Sequence, residues 1–140
     1  IIEQDSITVH RRALRAFEFD ATNAPDLFPA LAALAAAAEG ESVIKGTHRL
    51  RHKESDRAET IRQEYEKLGI EIDISEPDIM RIRGGEIHPA EVFSHDDHRI
   101  AMSLAVSALR CKGEVKITNA ECVEKSYPTF FEDLESILVR

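Results

Sequence analysis

The sequence holds only two cysteines, Cys111 and Cys122, and no CxxC pair. That excludes a disulfide framework and points to free thiols in a reducing compartment, so the cytoplasm is the expected location. Basic residues are also short: 18 Lys and Arg stand against 26 Asp and Glu, for a net charge of -8. Such a balance argues against a general binder of nucleic acid or anionic membrane, while leaving room for a local basic pocket. No apolar run reaches membrane-spanning length; the longest near-apolar stretch, LFPALAALAAAA (27–38), is a short alanine-rich helix candidate. An initiating methionine and a signal peptide are lacking too, and the chain, which starts at Ile1, is expected to be a piece of a longer protein.

What is present is 140 residues, 43% hydrophobic and 31% charged, enough for one soluble globular domain with a real core. SITVH (6–10) and AFEFD (16–20) alternate as strands do. Residues 25–39 read as a helix capped by Thr22 or Asn23, stopped by Gly40 and buried on most sides. SVIKG (42–46) reads as a strand and 55–67 as a helix, with Ala58, Ile61, Tyr65 and Leu68 as its apolar stripe and Gly69 as its end. IEIDI (70–74) and IMRIR (79–83) form a hairpin-like pair around SEPD. The pattern then restarts. AEVFS (90–94) is a strand, 97–110 a second small-residue helix and EVKIT (114–118) a strand. Residues 126–138 form an amphipathic helix with Pro128 in its first turn and Phe130, Leu134 and Ile137 inward.

Asp26, Gly40 and Ser55 recur as Asp97, Gly113 and Ser126 at a nearly constant offset. The segments 16–83 and 90–138 therefore read as an internal repeat of one unit: strand, buried helix, glycine, strand, polar loop, Ser-capped helix. The first copy adds two strands, giving βαβαββ. The expected class is α/β (α+β by some schemes), as one array within residues 1–140. In such units the helix N-termini lie beyond the carboxyl ends of the strands, where open α/β sheets bind ligands and where helix dipoles favour anions.

The charged residues sit at those entrances. Asp26 opens the first helix, and Lys53, Glu54 and Arg57 bracket the second. His98 and Arg99 open the third, and Lys125 precedes the fourth. Any one cation is ordinary surface charge; four at equivalent entrances point to a ligand bearing phosphate and carboxylate, since Arg offers a bidentate fork and Lys a point charge. Asp26 and Glu54 either complement helix dipoles or serve as general base and acid at a bound hydroxyl. SHDDHR (94–99) has metal-ligand residue types, but four consecutive ionisable residues at a helix entrance cannot all face one ion. An N-cap from Ser94 or Asp96, with His98 orienting its neighbours, is the simpler reading, and no metal or cofactor is assigned. His10, His88, Cys111 and Cys122 have no partners that argue for a role.

The strings PDLFPALAALAA, HRLRHKESDRAE, SHDDHRIAMSLAVSAL and AECVEKSYPTFFEDL resemble the EPSP synthase (3-phosphoshikimate 1-carboxyvinyltransferase) family, from about residue 16 to the end. The resemblance implies a two-lobed enzyme of the enolpyruvyl transferase inside-out barrel type, built from βαβαββ units with the active site between lobes. This chain would be C-terminal lobe material. The implied reaction passes the enolpyruvyl group of phosphoenolpyruvate to the 5-hydroxyl of shikimate 3-phosphate and releases phosphate, on the way to chorismate and the aromatic amino acids. Carried over by residue, Asp26 would take the 5-hydroxyl proton and hold the shikimate ring, and Lys53 would contact the phosphoshikimate. Glu54 would protonate the methylene carbon of phosphoenolpyruvate, while Arg57, Arg99 and Lys125 would clamp that molecule. Adjacent cations oppose protonation of Glu54, so desolvation on lobe closure or delivery through substrate has to help.

Where some relatives place an amide this chain has Arg49, which is left without a role. The family's first lobe brings a further Lys-Ser phosphate site, a glycine-rich turn and more arginines, none of which is in this sequence. The chain is therefore expected to fold without turning over alone, its partner being the N-terminal lobe of the same protein. The sister transferase acting on UDP-N-acetylglucosamine, a non-catalytic module binding an anion or a partner protein, and a metal hydrolase are the competing readings.

Overall fold

A computed structural model describes residue 2 and residues 4–138. Strand β1 (Glu18–Asp20) leads through a 3-10 turn at Pro25–Leu27 into helix α1 (Phe28–Ala36), and β2 (Glu41–Lys45) leads into α2 (Arg57–Lys67). Strands β3 (Glu71–Asp73) and β4 (Ile79–Arg83) follow. The second part runs β5 (Ala90–Phe93), α3 (His98–Ala108), β6 (Val115–Thr118), a 3-10 turn at Ala120–Lys125 and α4 (Phe130–Ile137). The class is α/β, and the first part has the expected βαβαββ order.

Four strands form a sheet in the order β1-β2-β4-β3, parallel between β1 and β2 and antiparallel elsewhere, and β5 and β6 form a parallel pair. Register puts Ser42 and Ile72 beside Ile82, and Ile44 beside Met80, so these buried residues share one face. The other face carries Glu41, Arg81 and Arg83 in exposed ion pairs that contribute little individually. Helix α1 packs on α3 and the inner sheet face, and α2 packs on β3 and β5. The stripe of α2 is buried as its period requires, with Ile61, Tyr65 and Leu68 fully covered, each worth about 1.5–3 kcal/mol of apolar burial. The Tyr65 hydroxyl donates to Ser103 O at 3.2 Å and meets Ser107 Oγ at 2.9 Å, tying α2 to α3.

Two glycines permit close backbone approaches. At Gly84 an added Cβ would lie 1.8 Å from Ala38 O and 2.7 Å from Ala35 O, because the β4–β5 connection crosses the end of α1 in backbone contact. At Gly46, φ is 108° and a Cβ would meet Thr22 N at 2.7 Å, so the chain leaving β2 lies directly against the chain leaving β1. That approach brings the loops after the two strands together.

Several expectations give way. Residues 6–10 form no strand beyond a single bridge of Ile7 with Ile2, and Ile7 and Val9 are exposed; an alternating pattern becomes a strand only with a neighbour to pair with. The first helix begins as the 3-10 turn after Ala24, without a side-chain cap; Thr22 lies two residues before Ala24, in a local turn where its N–H donates to Asp20 Oδ1. Asp56, not Ser55, caps α2, accepting from Glu59 N, and Asp97, not Ser94 or Asp96, caps α3, accepting from Arg99 N at 3.0 Å. The last helix starts only at Phe130, after Pro128, and Ile137 is 73% exposed rather than inward. Among the described residues no helix is long and apolar enough to cross a membrane.

Candidate active site

The loops that leave β1, β2 and β5 meet around one guanidinium. Arg57, in the first turn of α2, is fully buried. Its Nε donates to Asp97 Oδ2 at 2.7 Å and its Nη2 to Asp97 Oδ1 at 3.3 Å; Nη1 donates to Asp26 Oδ1 at 2.8 Å, and Nη2 also donates to Glu54 Oε2 at 2.6 Å. Asp26, in the 3-10 turn before α1, gathers two more cations: Lys53 Nζ at 3.2 Å from Oδ1 and Arg99 Nη2 at 3.6 Å from Oδ2. Ser55 Oγ donates to Asp97 Oδ2 at 3.1 Å. Asp26, Lys53, Glu54, Arg57 and Arg99 thus stand on one rim. Asp97 forms its buried floor, while Asp26 and Glu54 are half exposed.

The RLRHKESDR segment divides by position. Lys53, Glu54 and Arg57 turn into the cluster, Asp56 caps the helix, and Arg49, Arg51 and His52 face solvent outside it. Lys125 does not join. It lies at the end of the 3-10 turn after β6, with Nζ 2.5 Å from Asp96 Oδ2 and 2.7 Å from Asp96 O. Asp96 immediately precedes Asp97, so Lys125 stands beside the cluster with its charge already answered. His98 is buried at the start of α3, and its Nδ1 has no hydrogen-bond partner, so the ring orients no neighbour through that atom. The cap on Asp97 does that work instead.

The ionisable residues of SHDDHR go to separate partners: His95 to Glu64, Asp96 to Lys125 and Asp97 to Arg57. Among the described residues no group of three or more His, Cys, Asp or Glu is gathered as a metal site would need. Cys122 is buried, and desolvation pushes its thiol up against the opposing Ser94 hydrogen bond, so it is a poor nucleophile.

Residues 1–134 match the family model described as EPSP synthase (3-phosphoshikimate 1-carboxyvinyltransferase). The chain belongs to the EPSP synthase family. It is 43% identical over 132 residues to the 3-phosphoshikimate 1-carboxyvinyltransferase of Methanocella arvoryzae, covering 94% of this chain and 31% of that protein. With its namesake from Methanosarcina acetivorans it shares 45% over 129 residues, 92% of this chain and 30% of the relative. Among solved structures, EPSP synthase from Acinetobacter baumannii superposes with a TM-score of 0.71 at 38% identity, over 78% of this chain and 26% of that one. The enolpyruvyl transferase NikO from Streptomyces tendae superposes with a TM-score of 0.68 at 26% identity, over 90% and 28%. The chain spans about a third of the length of the curated relatives it matches.

In this EPSP synthase family chain the cluster is electrostatically closed. Burial pushes the Asp97 carboxyl up, but the Arg57 guanidinium, the Ser55 hydroxyl and the Arg99 N–H outweigh it and hold the carboxyl below its usual range. Asp26 behaves alike: desolvation raises it, and Arg57, Lys53 and Arg99 bring it down, so it is ionised at neutral pH. Burial would lower Arg57, but Asp97, Asp26 and Glu54 raise it and keep it charged. Sequence reasoning missed Asp97 as the principal partner of Arg57. A signal was present in the constant offset that pairs Asp97 with Asp26 in the sequence, and both carboxylates bind the same arginine.

Proposed function

We propose that this chain contributes one wall of the active site of a two-lobed 3-phosphoshikimate 1-carboxyvinyltransferase, as C-terminal lobe material whose N-terminal lobe is its partner. The reaction is transfer of the enolpyruvyl group from phosphoenolpyruvate to the 5-hydroxyl of shikimate 3-phosphate, with release of phosphate, in the cytoplasm. The observation that carries this reading is the gathering of Asp26, Lys53, Glu54, Arg57 and Arg99 beyond the carboxyl ends of parallel strands.

Asp26 has the requirements of a general base: it is ionised, half exposed, and flanked by cations that hold a phosphorylated hydroxy-acid beside it. Lys53 supplies a point charge to the phosphoshikimate. Arg99 supplies an exposed fork to phosphoenolpyruvate, with Lys125 joining after exchanging Asp96 for a substrate oxygen. Glu54 gives Oε2 to Arg57. A substrate carboxylate or phosphate that takes the Nη2–H in its place frees Glu54 Oε2 from the cation and leaves this half-exposed carboxyl beside the bound phosphoenolpyruvate. The intermediate is tetrahedral, and these residues contribute positioning, charge stabilisation and proton transfer.

The test compares the two-lobed protein with its Asp26→Asn variant by calorimetry with both substrates and by phosphate release. The expected outcome is product from the parent, and turnover lower by about 10²–10⁴ in the variant with phosphoenolpyruvate binding retained. A parent that binds anions without making product would establish the binding-module reading instead. The sequence relatives named above carry the shikimate enzyme's name, so the UDP-N-acetylglucosamine reading is not carried forward.

A further inference from the structure

Besides Asp97, the described residues contain one other fully buried carboxylate, Glu64 on α2, and no assigned step uses it. It lies seven positions after Arg57, two helical turns along the same face. Its Oε2 accepts from Phe93 N at 2.9 Å, its Oε1 lies 2.7 Å from His95 Nε2, and Lys67 Nζ reaches both oxygens at 2.8 and 2.7 Å. Desolvation raises this carboxyl, but Lys67, His95 and the Phe93 N–H together hold it below its usual range, so a charged carboxylate faces His95 Nε2.

The partners on the far side are the loop between β5 and α3. His95 (φ 54°) and Asp96 (φ 58°) are consecutive non-glycine residues in the left-handed region, a path that the surroundings must impose. The next residue is Asp97, the cap of α3 and the floor under Arg57. Helix α2 therefore grips this loop twice, through Glu64 at Phe93 and His95 and through Arg57 at Asp97. The Phe93 and His95 rings also pack on each other, with centroids 4.8 Å apart.

We propose that Glu64 is a positioning residue of this site. By fastening the β5–α3 loop in its left-handed path it sets where Asp97, and hence Arg57 and Arg99, stand toward the anionic groups of the substrate. The identity of those groups rests on the proposed function; the fastening itself does not.

The experiment is the Glu64→Gln variant of the two-lobed protein, which keeps shape and one acceptor but loses the charge that orients His95. The KM for phosphoenolpyruvate should rise about tenfold, because Arg57 and Arg99 are displaced, while the KM for shikimate 3-phosphate stays within about twofold. Lys67→Met removes the half-exposed partner of the same carboxylate and touches no loop residue, so its effect on the KM for phosphoenolpyruvate should be clearly smaller than that of Glu64→Gln, the contacts of Glu64 to Phe93 N and His95 remaining. Wild-type constants in Glu64→Gln, whatever its melting temperature, overturn the proposal, and so does an equal effect from Lys67→Met. If Glu64→Gln does not fold, His95→Ala carries the same two expectations, since it leaves the Phe93 N–H satisfied. No turnover by the parent overturns the proposed function instead. The positioning role is then read by amide exchange, where residues 93–97 should lose protection about tenfold in Glu64→Gln and equal protection overturns it.

Discussion

Asp26 and Asp97 make a paired test of burial, because they hold the same arginine from opposite sides of the surface. Asp97→Ala removes two hydrogen bonds and the principal countercharge from the fully buried Arg57, and one hydrogen bond from Ser55. Breaking one partner of a buried pair costs about 3–5 kcal/mol, and the contacts retained from Asp26 and Glu54 put this case near about 3. Loss of the α3 cap adds about 1 kcal/mol. The sum of about 4 kcal/mol is a large part of the ~5–15 kcal/mol that holds a domain folded. Asp26→Ala removes contacts to three cations, but Asp26 is half exposed, so water replaces them and the cost is under about 1 kcal/mol. Urea unfolding followed by far-ultraviolet circular dichroism suits a chain with no tryptophan. At a slope of roughly 2 kcal/mol per molar, the midpoint should fall by about 2 M for Asp97→Ala and by under about 0.5 M for Asp26→Ala. Equal shifts in the two variants would refute the division of Asp97 as support and Asp26 as chemistry.

Three further outcomes follow from the same geometry. Asp26, Glu64 and Asp97 all have carboxyls lowered by folding, so their contribution is complete above the ordinary carboxylate value of about 4 and is lost as pH falls through the lowered folded values. The urea midpoint should accordingly drop on acidification below about pH 4, and less so in Asp97→Asn. Gly84→Ala drives a methyl into two backbone carbonyls and should lower the melting temperature by about 10 °C, at roughly 3 kcal/mol. Gly85→Ala, whose Cβ would meet nothing nearer than 3.8 Å, should change it little, and a scanning calorimeter decides between them. The chain alone, which spans about a third of its relatives, should release no phosphate from the two substrates above background in a colorimetric assay.

Local periodicity was legible in this sequence. The stripe of Ala58, Ile61, Tyr65 and Leu68 and the βαβαββ order of the first part follow from spacings within the elements, where helix and strand geometry repeat every few residues, whereas the stop expected at Gly40 came earlier, α1 ending at Ala36 with Ala37 as its C-cap. The gathering of Asp26, Lys53, Glu54, Arg57 and Arg99 was legible too, because each sits at a helix entrance and parallel topology collects such entrances on one edge.

Partnership was not legible. Asp97 meets Arg57 from 40 residues along the chain, Glu64 becomes a buried hold on a distant loop, and Lys125 spends its charge on Asp96. Residues 6–10 carry a strand's alternation without a sheet to join, and Ile137 carries a helix's apolar phase without a core to meet. Each of these depends on what stands opposite a side chain across space. A chain's own spacing governs which way a residue faces along its element. What that residue meets is chosen by packing, where burial makes an ion pair strong or leaves it to water.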